Sequence, residues 1–196
     1  MRIAIISDTH IARASGAVYD NLLAVRAWIK SIAPQMTLHL GDITADAAQH
    51  PGQLDFAARF FADWPGPIRL LAGNHDTGDN DDIVRSASEP AVDAERLARF
   101  RQTLGPSRFL LTFDQWTLIG LNAQLLGSGG EEAVQDAWLD AALAGVDGPL
   151  GLFLHKRIKS FCGAQPPQRL GWTDAWRDGS VGSYGDFTEG TGCARR

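Results

Sequence analysis

The segment Ile68-Arg69-Leu70-Leu71-Ala72-Gly73-Asn74-His75-Asp76 joins an apolar run to a glycine followed by three residues with chemically active side chains. An apolar run of this length, bounded by turn-forming residues, reads as a buried strand that stops where its character changes. The same transition occurs upstream. Arg2-Ile3-Ala4-Ile5-Ile6-Ser7 leads into Asp8-Thr9-His10, and Met36-Thr37-Leu38-His39-Leu40 leads into Gly41-Asp42. It occurs once more downstream, where Leu150-Gly151-Leu152-Phe153-Leu154 ends on His155.

Helical patterns separate these runs. Asp20 is placed to cap a helix carrying Leu22, Leu23, Val25, Trp28, Ile29 and Ile32 at i, i+3, i+4 spacing, with Pro34 as its stop. Leu54, Phe56, Ala57, Phe60 and Phe61 mark a second helix, broken at Pro65-Gly66-Pro67. Asp79-Asn80-Asp81-Asp82 reads as a solvated acidic loop, and a helix is expected over 92–104, closed by Gly105-Pro106. The β-rich runs 108–113 and 116–121, split by Asp114-Gln115, predict a hairpin. A further helix is expected over 131–143, with Val134, Ala137, Trp138, Ala141 and Ala142 on its apolar stripe. Trp116, Trp138 and Phe109 are expected in the core. Strands alternating with helices imply an α/β architecture, and in such sheets ligands bind beyond the carboxyl ends of the strands.

The chain of 196 residues is long enough for one domain with a sizeable core. With 44% hydrophobic and 21% charged residues it has the composition of a globular protein. A net charge of -5 argues against a general nucleic-acid binder. No apolar run approaches the roughly 20 residues that span a bilayer, and 2–6 is too short for a signal peptide. Two cysteines, Cys162 and Cys193, make a disulfide framework an unexpected reading, so a cytoplasmic location is expected.

The polar clusters are the materials of a metal site. Carboxylate and imidazole two residues apart, as in Asp8 and His10, can be aimed at one ion such as zinc, manganese or iron. Asp42 is able to bridge two ions, Asn74 offers a neutral oxygen, and His155 an imidazole from a separate strand. His75 need not be a ligand. With Asp76 orienting it, its imidazole would protonate a leaving-group oxygen. Taken singly each cluster is ordinary: aspartate caps helices, Gly-Asp and Gly-Asn make turns, and a histidine ending an apolar run is commonly a core residue. The force lies in four clusters in order, each at the end of an expected strand. His39, alternating with Leu38 and Leu40, is expected to pack within the sheet, and His50, before Pro51-Gly52, to be solvated.

These residues resemble the calcineurin-like metallophosphoesterase superfamily, whose pattern is D-x-H, G-D, G-N-H-D or G-N-H-E, a lone H, and then G-H-x-H. The resemblance runs from about Arg2 to His155 and looks most like the single-domain phosphodiesterase and phosphatase branch. It implies a sandwich of two mixed sheets flanked by helices. It implies Asp8, His10 and Asp42 at one metal and Asp42, Asn74 and His155 at the other, the two ions being divalent manganese, iron or zinc. It implies His75 as the general acid beside the scissile phosphate, with Asp76 added as its catalytic partner by the residue reading above. The activity expected is hydrolysis of a phosphomonoester or phosphodiester by metal-bound hydroxide, on a small phosphate ester and with neither nucleic acid nor membrane as partner.

No histidine follows His155, so the G-H-x-H motif is missing. From residue 156 on, seven Lys or Arg stand against four Asp or Glu, with seven glycines and few branched aliphatics. The expected organisation is therefore a metallophosphoesterase-like domain over 1–155, its second sheet incomplete, and an irregular Gly/Arg-rich tail over 156–196. A shifted reading frame or truncated gene, a non-catalytic relative acting as a binding protein, and completion of the site by another chain are the readings that this break leaves open. A flavodoxin-like nucleotide-binding domain is weaker, because no G-x-G-x-x-G or P-loop follows the first run.

Overall fold

A computed structural model describes residues 2–14, 16–80 and 90–156. The expected tail falls outside the described residues from 157 onward, as do Asp81 and Asp82 of the acidic loop.

The first apolar runs form β1 (Ile3–Ile6), β2 (Met36–His39) and β3 (Ile68–Leu70), alternating with α1 (Ala17–Ile32) and α2 (Gly52–Ala62). The three strands make one parallel sheet in the order β1-β2-β3, with Ile6 beside His39 and His39 beside Leu70. After the short helix α3 (Asn74–Thr77) comes α4 (Ala94–Leu104), then the hairpin of β4 (Phe109–Phe113) and β5 (Trp116–Gly120). The helix α5 (Gly130–Leu143) carries the chain to β6 (Leu150–Phe153), which pairs parallel with β5. That crossover is what a parallel pair requires, whereas the hairpin needs only Asp114 in a left-handed turn at φ 52°. The result is the expected α/β arrangement of two sheets flanked by helices, but among the described residues the first sheet is wholly parallel, and only the second, of three strands, is mixed.

Three apolar clusters hold the layers together. Met36, Leu38 and Leu71 meet Phe109 and Leu118 between the two sheets. On the outer side of the first sheet, Leu22, Ile29, Leu54, Ala57, Phe60 and Phe100 bring in α1, α2 and α4. On the outer side of the second, Ile119 and Leu121 pack with Leu139 of α5. A fully buried leucine such as Leu38 or Leu54 contributes roughly 1.5–3 kcal/mol relative to exposure. Phe109 is buried, while Trp116 and Trp138 are half-buried against these clusters.

Several local expectations change. Asp20 does not cap α1; the cap is Gly16, four residues earlier, and Asp20 lies in the first turn. Leu23 and Trp28 face outward, 39% and 55% exposed, because the sheet covers only the narrower stripe through Leu22 and Ile29. Asp93 caps α4 by accepting from the Arg96 N–H at 2.8 Å. In α5 the apolar stripe is rotated: Val134, Ala137 and Ala141 are exposed, and Gln135 and Leu139 are the buried residues. The reason is polar. Gln135 accepts from the backbone N–H of Asn122 at 3.0 Å and donates to its carbonyl at 3.1 Å, so a glutamine enters the core fully paired.

Candidate metal centre

The carboxyl ends of β1, β2, β3 and β6 lie together, and the turns that follow them carry the polar clusters. Pairing continues past the strands: Asp8 N–H donates to Gly41 O at 3.0 Å, His10 N–H to Asp42 O at 3.1 Å, and Ile11 N–H to Ile43 O at 2.8 Å. Within this extension Asp8, His10 and Asp42 adopt left-handed backbone conformations, at φ 56°, 44° and 52°. Non-glycine residues in that region are strained by about 1–3 kcal/mol each and cluster at functional sites. A regular strand would keep Asp8 and His10 on one face and Asp42 of the neighbouring chain segment on the other; the distortion turns all three side chains toward one another.

Asp42 lies at the centre. Its Oδ2 is 3.8 Å from His10 Nε2 and 3.9 Å from His75 Nε2, and its Oδ1 is 3.4 Å from His155 Nε2. His10 Nε2 is also 3.9 Å from Asp8 Oδ1. Two groups of donors able to hold an ion emerge: His10, Asp42 and His75, and Asp8, Asp42 and His155. The structure thus brings together Asp8, His10, Asp42, His75 and His155. By proximity alone it sets His75 beside His10, and Asp8 within reach of both groups. Asn74 opens α3 between Gly73 and His75, half-buried.

Glycine is required at two of these turns. At Gly41, with φ 119°, a Cβ would sit 2.8 Å from His155 Nδ1. At Gly73 it would collide with the backbone and carboxylate of Asp42. The strand ends approach so closely that no side chain fits between them.

Asp76 does not orient His75. It is fully buried, and its carboxylate accepts from Gly73 N–H at 2.9 Å, Ile43 N–H at 3.1 Å, Thr44 N–H at 2.8 Å and Thr44 Oγ1–H at 2.8 Å. Burial pushes its pKa up against the pull of these donors. From the third position of α3 it caps the Gly73 N–H at the start of that helix and ties the turn to the loop after β2. The group that holds His75 is a backbone carbonyl, because Nδ1–H donates to Ala45 O at 2.5 Å. His75 therefore presents Nε2 to the site.

Electrostatics separates the other histidines. Burial alone would lower the pKa of His155, but the hydrogen bond to Asp42 and its charge outweigh that and raise it. Burial alone would raise the pKa of Asp42, and His155, together with the His75 backbone N–H, brings it below the usual carboxylate value. His39 is enclosed within the sheet as expected, and burial, reinforced by His155, lowers its pKa to about 3. His50 is exposed, 3.8 Å from Asp46, and belongs to neither group. Sequence reasoning missed Thr9, Thr44 and the Ala45 carbonyl. Only the placing of Thr9 between Asp8 and His10 carried any signal.

The donor set fits divalent cations. It offers hard carboxylate oxygens and imidazole nitrogens, and His155 Nδ1 is buried with no hydrogen-bond partner. A groove of about 620 Å³ between Phe61, Ile68, Leu104 and Leu110 contains none of these residues. Among the described residues no helix is long and apolar enough to cross a membrane.

A family model described as calcineurin-like phosphoesterase matches residues 1–172. Among solved structures, the chain is similar to the purple acid phosphatase PPD1 isolated from yellow lupin (Lupinus luteus) seeds, at 19% identity and a TM-score of 0.51. That likeness covers 74% of this chain and 28% of the lupin protein, so the chain spans little more than a quarter of its length, and it bears on the fold. A protein of unknown function, AQ665 from Aquifex aeolicus, is 16% identical with a TM-score of 0.31, over 71% of this chain and 73% of that one. No curated protein matches the chain.

Proposed function

The chain belongs to the calcineurin-like phosphoesterase family, and from that premise we propose that it hydrolyses a small phosphomonoester or phosphodiester with the help of two divalent ions. The observation that carries this reading is the division of Asp42 between two donor groups at the ends of both sheets. Asp8, His10, Asp42, Asn74 and His155 are the residues proposed to hold manganese, iron or zinc. When bound, such ions neutralise charge on a phosphoryl group and acidify water in the site.

The protein's own part is positioning and proton transfer. Asp76 and the Thr44 hydroxyl fix the two loops so that Asp42 and His75 face the same space. His75 is locked by Ala45 through Nδ1, which leaves Nε2 to carry the mobile proton. As the phosphorus–oxygen bond to the leaving group breaks, that proton passes from Nε2 to the departing oxygen. A cytoplasmic setting belongs to this reading, given the two cysteines of the chain.

Rates with Mn²⁺ on an alkyl phosphate and on a p-nitrophenyl phosphate, as mono- and diesters, test the proposal. Asp42→Ala should fall to background on every ester. His75→Ala should lose roughly 10²–10⁴-fold on the alkyl esters and much less on the p-nitrophenyl esters, whose leaving group departs without a proton. Equal rates in the wild type and both variants would overturn the reading. The alternative, a non-catalytic member of the fold that binds a partner, draws on the absence of any histidine after His155. A chain that hydrolyses no ester and holds its ions only weakly would favour it, and two tightly held ions per chain would count against it.

A further inference from the structure

His39 is fully enclosed, yet both its ring nitrogens are engaged. The Gly41 N–H donates to Nδ1 at 3.2 Å, which makes Nδ1 an acceptor and puts the single proton of the ring on Nε2. Nε2–H therefore donates to Thr9 Oγ1 at 2.9 Å. Having accepted there, the Thr9 hydroxyl donates to the Ile43 carbonyl at 3.0 Å. The relay runs in one direction, from Gly41 N–H through His39 and Thr9 to Ile43 O. Its two ends lie on the residues flanking Asp42, and its middle lies on the residue flanked by Asp8 and His10.

Asp8, His10 and Asp42 all have left-handed backbone conformations, which persist only where the surroundings over-determine them. The relay is such a constraint. It joins the loops after β1 and β2 through side chains, beside the backbone bonds from Asp8 and His10 to Gly41 and Asp42. The ring of His39 is further fixed edge-on against Phe61, with centroids 5.6 Å apart. Neither ring nitrogen is free to coordinate, so His39 is no ligand itself.

We propose that Thr9 and His39 are positioning residues of the metal centre, their hydrogen-bond relay holding Asp8, His10 and Asp42 in the arrangement that receives the ions. The proposal rests on the reading of those three residues as metal ligands. Supports of this kind commonly change metal affinity by 10–100-fold when removed.

Thr9→Val keeps the shape of the side chain and removes its hydroxyl, while Thr9→Ser keeps the hydroxyl. Mn²⁺ binding to the metal-free full chain is measured by calorimetry well below the melting temperature of each protein, and the melting temperatures are recorded alongside. Thr9→Val should bind Mn²⁺ roughly 10–100-fold more weakly, and Thr9→Ser should stay close to the wild type. Thr9→Ala repeats the test should the valine variant not fold. Independently of metal, nitrogen NMR of the wild type should show His39 as the Nε2–H tautomer. A lowered melting temperature with unchanged affinity, or an Nδ1–H tautomer, would overturn the positioning role alone. A wild type that binds no Mn²⁺ would overturn the metal reading, and this proposal with it.

Discussion

At the residue scale, Asp42 and His39 show how position alone sets the chemistry of a side chain. Asp42 and His155 each meet a burial penalty that their partner outweighs, so each is shifted toward its charged form. His39, three residues before Asp42, has no carboxylate hydrogen-bonded to its ring, and burial with the charge of His155 outweighs the pull of Asp42 and lowers its pKa. This has a consequence for stability. In the unfolded chain the imidazole takes up a proton near pH 6.5, and in the folded chain only near pH 3, so the unfolded state binds more protons between those values. Stability from this group is complete above about pH 6.5 and is lost as the pH falls toward 3. From pH 7 to pH 5 the loss is about 2 kcal/mol. His39→Gln can still accept from Gly41 and donate to Thr9 without titrating. Urea unfolding should therefore show the wild type losing about 2 kcal/mol more than this variant over the same interval. Parallel pH profiles for the two proteins would contradict the assignment.

At the element scale, the strands are ordinary and the turns after them are not. β1, β2 and β3 are three or four residues long and need only apolar side chains and parallel partners. The four-residue α3 has no such support and is fixed by Asp76, which satisfies backbone donors from two turns at once. Asp76→Ala would leave the N–H groups of Gly73, Ile43 and Thr44 buried without acceptors. At about 1–3 kcal/mol for each orphaned donor, the variant should lose roughly 3 kcal/mol or more in denaturant unfolding, in metal-free protein as well as loaded. A loss under about 1 kcal/mol would mean that water replaces the carboxylate. The same reasoning explains why α5 misled the periodicity. Its apolar residues form a clear stripe, but Gln135 finds two backbone partners at Asn122 and turns the helix by about one residue. A hydrophobic pattern counts apolar side chains and is blind to a polar one that becomes fully paired.

At the scale of the whole molecule, the candidate centre draws on both sheets: Asp8, His10, Asp42 and His75 follow strands of the first, and His155 follows β6 of the second. A cation held by all of them would tie the two layers together. Mn²⁺ at about 100 times its dissociation constant would stabilise the fold by roughly 2.7 kcal/mol, a rise of about 5–10 °C in melting temperature for a chain of this size. A chelator should reverse it, and His155→Ala should keep less than half of it; an undiminished rise in that variant would place the cation on the first sheet alone. The sequence by itself determined the alternation of strands and helices, the hairpin at Asp114-Gln115 and the identity of most donors, because each is written in short-range patterns of apolar spacing and turn chemistry. The sharing of Asp42, the bond of Asp76 to Ile43 and Thr44, and the enclosure of His39 against Thr9 were decided only by tertiary structure. Those contacts join residues 30 or more positions apart. Such pairs are set by how two loops meet once the strands beneath them are in register, and no local pattern encodes that.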